Sequence, residues 1–122
     1  MSELALIIED DEDLAHIFAE ALRSVGFEVE TLQDGQIAQE RLKKGTVPYL
    51  ILLDMHIPHM SGGDLLTNII RKDERLAKTV VIITTADARM GDAYAELADF
   101  VMVKPISFIQ LRDLTNRLKP ND

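Results

Sequence analysis

Two apolar patterns alternate along the chain. Short unbroken runs, such as Leu4-Ala5-Leu6-Ile7-Ile8 and Tyr49-Leu50-Ile51-Leu52-Leu53, are separated by longer stretches whose apolar residues recur every three or four positions. An apolar run without alternation reads as a strand buried on both faces, as in a parallel sheet covered by helices. The spaced stretches read as amphipathic helices. The first helix is predicted over residues 12–25, with Leu14, Ile17, Phe18, Ala21, Leu22 and Val25 on one face and Gly26 ending it. Residues 27–32 alternate and are β-branched, which predicts an edge strand with one wet face. Asp34-Gly35 opens a second helix to about residue 44, and Gly45 closes it.

The strand at 49–53 leads into a loop marked by Pro58, Gly62 and Gly63, and Leu65, Leu66, Ile69 and Ile70 mark a third helix. Residues 79–84 form an apolar strand between threonines. Residues 88–97 are helical but thinly patterned, so this fourth helix is expected to be the least stable. A fifth strand covers 99–103, and Ser107 with Gln110 forms a capping box for a last helix burying Leu111, Leu114 and Leu118. Five βα units of this kind predict a doubly wound α/β fold.

Composition narrows the function. At 122 residues the chain is long enough for one domain with a real core, and residues 1–122 are read as a single unit. Thirteen basic against 21 acidic residues give a net charge of −8, which argues against direct nucleic-acid or anionic-membrane binding. Cysteine is absent, which removes disulfides, thiol catalysis and thiolate metal sites. The acidic start Met1-Ser2-Glu3 is unlike a signal peptide, and no apolar run is long enough to span a bilayer, so a cytoplasmic protein is expected.

The first and third strands both end on carboxylates: Glu9-Asp10-Asp11 and Asp54. Open α/β sheets bind ligands at the carboxyl ends of their strands. If the two strands are neighbours, Glu9, Asp10 and Asp54 converge. Like charges held that closely raise at least one pKa unless a cation intervenes. An oxygen-only ligand set suits a hard divalent ion, Mg2+ above all. Thr85 ends the fourth strand, and Lys104 ends the fifth with Pro105 behind it. A nucleophilic carboxylate, a metal cage, a hydroxyl and a mobile cation are the equipment for phosphoryl transfer to a carboxylate.

With these pieces in order, Ile7-Ile8-Glu9-Asp10-Asp11, Ile51-Leu52-Leu53-Asp54-Met55-His56-Ile57-Pro58, Ser61-Gly62, Ile82-Ile83-Thr84-Thr85-Ala86 and Val103-Lys104-Pro105, the sequence resembles the receiver domain of two-component response regulators along essentially its whole length. The resemblance implies five parallel strands in the order 2-1-3-4-5 with five helices, and a switch point between strands 1 and 3. It implies Asp54 as phosphate acceptor and Asp10 as direct Mg2+ ligand. Glu9 would act through water, and the backbone carbonyl of His56 would complete the protein ligands. Thr85 and the amide of Ala86 would donate to phosphoryl oxygens, Lys104 would pair with the phosphate, and a cis bond before Pro105 would aim the lysine inward. The implied donor is the phosphohistidine of a sensor histidine kinase or phosphotransfer protein, and the domain would hydrolyse its own acyl phosphate. It would be a switch rather than an enzyme acting on a separate substrate. Its output would be a face of the fourth helix, fifth strand and fifth helix, used for a downstream partner or a homodimer.

His56 and Asp87 stand two past the acceptor and two past the threonine, flanking the route of attacking water in this family, and are expected to approach each other. The family's switch aromatic has Val101 in its place, with Phe100 one position earlier and facing the other way by alternation. His16, His56 and His59 read as solvated rather than metal-binding. A phosphorylation-independent scaffold, a flavin carrier and an aspartate-based hydrolase are the rival functions. The first ignores a complete site, the acids after strand 1 repel the second's phosphate, and the third lacks an aspartate at position 56.

Overall fold

The computed structural model describes residues 3–120. Strands β1 (Leu4–Ile8), β2 (Glu28–Leu32), β3 (Leu50–Asp54), β4 (Val80–Thr85) and β5 (Phe100–Val103) form one parallel sheet in the order β2-β1-β3-β4-β5. The connecting helices are α1 (Glu12–Ser24), α2 (Gly35–Leu42), α3 (Gly62–Asp64), α4 (Ala88–Tyr94) and α5 (Phe108–Leu118). The α3 turn continues as a π-helical stretch, Leu65–Ile70, whose wide turns end with the Arg71 N–H donating five residues back to Leu66 O at 3.0 Å.

Alternation along each strand divides the core in two. Leu6, Ile8, Ile51, Leu53, Val81 and Ile83 face one side, where Ala38, Leu42, Leu65, Leu66 and Ile70 cover them. Ala5, Ile7, Leu50, Leu52 and Ile82 face the other, under Phe18, Leu22 and Leu111 of α1 and α5. Both faces are therefore dry, which is why the strands read as unbroken apolar runs. β2 lies at an edge, as predicted, but its exposed residues Glu28 and Thr31 stand on opposite faces, so the expected single wet face is not formed.

Local chemistry sets the helix ends. The Asp11 carboxylate accepts from the N–H groups of Asp13 and Leu14, the Asp34 carboxylate from that of Ile37, and Ser107 and Gln110 close a reciprocal capping box. Gly26, at φ +102°, turns the chain out of α1 in a conformation that side chains disfavour.

Two sequence expectations need correction. Ile17 is 41% exposed, and α1 instead buries Ala15, Phe18, Ala19, Ala21 and Leu22. At roughly 100° per residue, Ile17 lies about 200° around the helix from Ala15. Ala15, Ala19 and Ala21 join Ile7, Leu52 and Ile82 of the sheet in one buried cluster, which sets the buried stripe. The fourth helix is also shorter than expected and ends at Tyr94. Arg71 holds the segment beyond it: Nε donates to Leu97 O at 2.7 Å, Nη1 to Thr79 O at 3.3 Å and Nη2 to Asp99 Oδ2 at 3.2 Å. Among the described residues, no helix is long and apolar enough to cross a membrane.

Candidate functional site

The β1–β3 register builds the site. Ile8 pairs with Leu53, so the next residue of each strand, Glu9 and Asp54, emerges side by side at the carboxyl end of the sheet. Both are almost fully buried, at 2% and 3% exposure, while Asp10 beside them is open to water. One carboxylate oxygen from each of Glu9, Asp10 and Asp54 lies within 4.8 Å of the others. Two buried carboxylates and a solvent-facing third form a half-open cage of hard donors, which fits a divalent cation such as Mg2+ that keeps waters on its open side.

Lys104 neutralises part of this charge. β4 and β5 run in register up to Thr85 and Val103, which delivers Lys104 to the same end of the sheet, and its N–H donates to Thr85 O at 2.7 Å. Nζ donates to Glu9 Oε1 at 2.9 Å and lies 3.4 Å from Asp54 Oδ2. The bond from Lys104 to Pro105 is cis. Burial raises the Glu9 carboxyl above its ordinary value, and the adjacent Asp54 carboxyl adds to it, against the lowering by the Lys104 hydrogen bond. For Lys104 burial alone would lower the pKa, but the hydrogen bond to Glu9 and the two carboxylate charges outweigh it and the net shift is upward. The ammonium is therefore held charged between two acids. The Asp54 carboxylate also accepts the N–H of His56 at 3.1 Å through Oδ1, and the Asp11 N–H donates to Glu9 Oε2 at 3.2 Å.

The expected residues divide into two groups. Glu9, Asp10, Asp54 and Lys104 come together. Thr85 is buried at the end of β4, but its hydroxyl is taken by the next loop: it accepts the Asp87 N–H at 3.0 Å and donates to Asp87 O at 3.3 Å. His56 and Asp87 have separate partners. His56 is exposed, and the Asp87 carboxylate caps α4 by accepting the Arg89 N–H at 3.0 Å. No hydrogen bond or ion pair joins the two among the described residues. The Asp87 carboxylate, one residue before a helix, satisfies a free N–H group there. Val101 packs against the core on the α3–α4 side, while Phe100 is 38% exposed, in line with their opposite facing.

Sequence reasoning read Gly62 as a loop mark and a matching motif piece and gave it no contact with Asp54. The Gly62 N–H donates to Met55 O at 3.2 Å, and a Cβ there would collide with the Asp54 carbonyl, so only glycine lets α3 start directly on the backbone of Asp54. The Gly62-Gly63 pair was the available signal. His59, expected to be merely solvated, has a left-handed backbone (φ 72°) and places Nδ1 3.2 Å from Asp34 Oδ2.

Comparison with known proteins agrees with this geometry. Residues 5–116 match the family model described as the response regulator receiver domain. The chain is 30% identical over 125 residues to the probable methanogenesis regulatory protein FilR2 of Methanothrix harundinacea, covering 95% of this chain and 81% of that one. It is 32% identical over 118 residues to chemotaxis protein CheY-3 of Vibrio cholerae, covering 93% and 88%. In other relatives the matching segment is about half of a longer chain. Among solved structures, a putative response regulator from Chloroflexus aurantiacus superposes with a TM-score of 0.87 at 22% identity over 97% of this chain and 98% of that one, a likeness of fold. The match along nearly the whole chain, on a sheet of order 2-1-3-4-5 with acids at its switch point, makes this chain a member of the response regulator receiver domains, the phosphorelay signalling modules of two-component systems.

Proposed function

We propose that Asp54 is the phosphoryl acceptor of this receiver and that residues 1–122 work as one Mg2+-dependent switch. The observation that carries the reading is the meeting of Glu9, Asp10 and Asp54 within 4.8 Å, with the Lys104 ammonium between two of them. An oxygen of Asp54 attacks phosphorus, the P–N bond of a phosphohistidine on a sensor kinase or phosphotransfer protein breaks, and the imidazole leaves with the bonding pair. The product is an acyl phosphate on Asp54, which water later hydrolyses to inorganic phosphate. Asp10 and Asp54 directly, Glu9 through water and the His56 carbonyl would hold Mg2+, which would supply positive charge to offset the acids and phosphoryl oxygens. Lys104 turns from Glu9 to the phosphoryl group, a small movement for a side chain already 3.4 Å from Asp54. Thr85 and the Ala86 amide donate to the remaining oxygens, and His56 and Asp87 modulate access of water.

The output surface is the face of α4, β5 and α5, where Phe100, Val103, Phe108 and Ile109 are exposed apolar residues. A downstream protein or a second copy of the chain would cover it. The test is incubation with acetyl phosphate and Mg2+ followed by mass spectrometry. Wild type is expected to gain one phosphoryl group on Asp54, and neither the Asp54→Asn variant nor wild type in chelator to gain any. Equal labelling of the Asn variant would overturn the reading.

A further inference from the structure

The turn that begins α3 touches the proposed acceptor on one side and α4 on the other. Gly62 lies against the backbone of Asp54 and Met55, where a Cβ would stand 2.6 Å from Met55 Cα. The next residue, Gly63, is covered by Tyr94, and a Cβ there would collide with the tyrosine ring and its hydroxyl. Two glycines in succession thus leave a single backbone turn between the acceptor's own peptide and the last residue of α4.

α4 is thinly held, with Met90 and Tyr94 only partly buried against the core. It spans seven residues and buries only Gly91. A helix that short does not persist by its own hydrogen bonds, since about 12–15 residues are marginal in water. Its ends carry the ties: at the start the Thr85 hydroxyl grips the Asp87 backbone, and at the finish Tyr94 sits on Gly63. Both ties lead back to Asp54, one through β4 and one through α3. β5 contributes no aromatic lever here. Its Val101 lies so close beneath α4 that a Cβ on Gly91 would meet Cγ1 at 2.6 Å.

We propose that Tyr94, seated on Gly63, is the latch that phosphorylation of Asp54 releases to loosen α4. The inference rests on the reading of Asp54 as acceptor and adds the route by which its state leaves the site. To donate to a phosphoryl oxygen, Thr85 must withdraw its one O–H from Asp87 O, which weakens the first tie. The phosphoryl group and its Mg2+ also reposition the Asp54–Met55 backbone on which Gly62 rides, which unseats the ring. The aromatic that reports the site therefore stands on α4, not on β5.

The chain has two tyrosines, so fluorotyrosine labelling of the full protein gives two signals, with Tyr49 as internal reference. Beryllium fluoride with Mg2+ serves as the phosphoryl mimic, and its bound fluorides report occupancy of Asp54 independently. Saturation is expected to shift the Tyr94 signal, to leave that of Tyr49 in place, and to speed amide exchange over residues 88–94 by about fivefold or more. The Gly63→Ala and Tyr94→Ala variants attack the latch from opposite sides. Each is expected to show the fast α4 exchange before the mimic is added, to bind the mimic as wild type does, and to respond to it no further. Tyr94→Phe keeps the ring and should keep the response. Occupancy of Asp54 without movement of the Tyr94 signal would overturn the latch and leave the acceptor reading intact. So would a full α4 response in Tyr94→Ala. Failure of wild type to bind the mimic or accept phosphate would overturn both.

Discussion

β1 and β3 bury nearly every side chain they carry, with Leu4 alone partly open, whereas β5 leaves Phe100 and Val103 at 38% and 47% exposure and α4 buries a single glycine. The acids stand on the first pair of strands and the expected output face is built from the second set. The contrast has a physical use. Like charges held within 4.8 Å repel, and only a rigid, dry support keeps them close enough to share one cation. A signalling surface needs the opposite, an element whose two arrangements differ by few kcal/mol, so that one phosphoryl group reverses their populations. Concentrating packing around β1 and β3 and thinning it toward β5 serves both needs in one small domain.

The sharpest way to break this comparison is to cut the same kind of side chain from both regions. Leu53→Ala, in the fully buried β3, is expected to cost about 2–5 kcal/mol in denaturant unfolding, as large-to-small changes in a closed core do. Next in size is Lys104→Ala, which leaves Glu9 and Asp54 buried without their cation. Removing one partner of a fully buried pair costs about 3–5 kcal/mol, and because Lys104 keeps 19% exposure about 2 kcal/mol is expected. Saturating Mg2+ should return much of that loss, which melting curves with metal and with chelator would show. A loss that metal leaves untouched would mean that the lysine supports packing and not charge balance.

A smaller effect appears as a pH slope. Burial raises the Glu9 pKa above its ordinary 4.5, so the folded state binds that proton more tightly than the unfolded chain does. Metal-free stability is therefore expected to fall as pH rises from 4.5 through the raised value of Glu9, because folding then confines a charge the unfolded chain keeps in water. The Lys104 contribution persists, since its pKa is raised from 10.5 and the group stays charged across that window. Melting temperature against pH in chelator reads the slope, which Glu9→Gln should flatten. The smallest effect belongs to Val103→Ala: at 47% exposure it should change stability by no more than about 0.5 kcal/mol, and its consequence should appear in partner binding instead. A core-sized cost there would erase the distinction between the two regions.

Much of this arrangement was legible along the chain. The strands were visible because a side chain buried on both faces of a sheet admits no polar alternation, and the caps because Asp11, Asp34 and Ser107 answer free N–H groups within three residues. The charged site followed from where apolar runs stop on acids and on a lysine, which is local information once the strands are parallel. Ile17 was misplaced because helical periodicity shows that a face exists but not which stripe the neighbours select, and the alanines decided it.

The sequence by itself thus determined the element order, the strand ends and the set of charges gathered there. Tertiary structure alone decided how those groups divide their partners: Lys104 on Glu9 at 2.9 Å before Asp54 at 3.4 Å, the Thr85 hydroxyl on Asp87 rather than toward the acids, and Tyr94 over Gly63. The first set depends on interactions a few residues apart, where chemistry and spacing suffice. The second is a competition among groups far apart in sequence for the same few ångströms, and only the packed chain brings the competitors together.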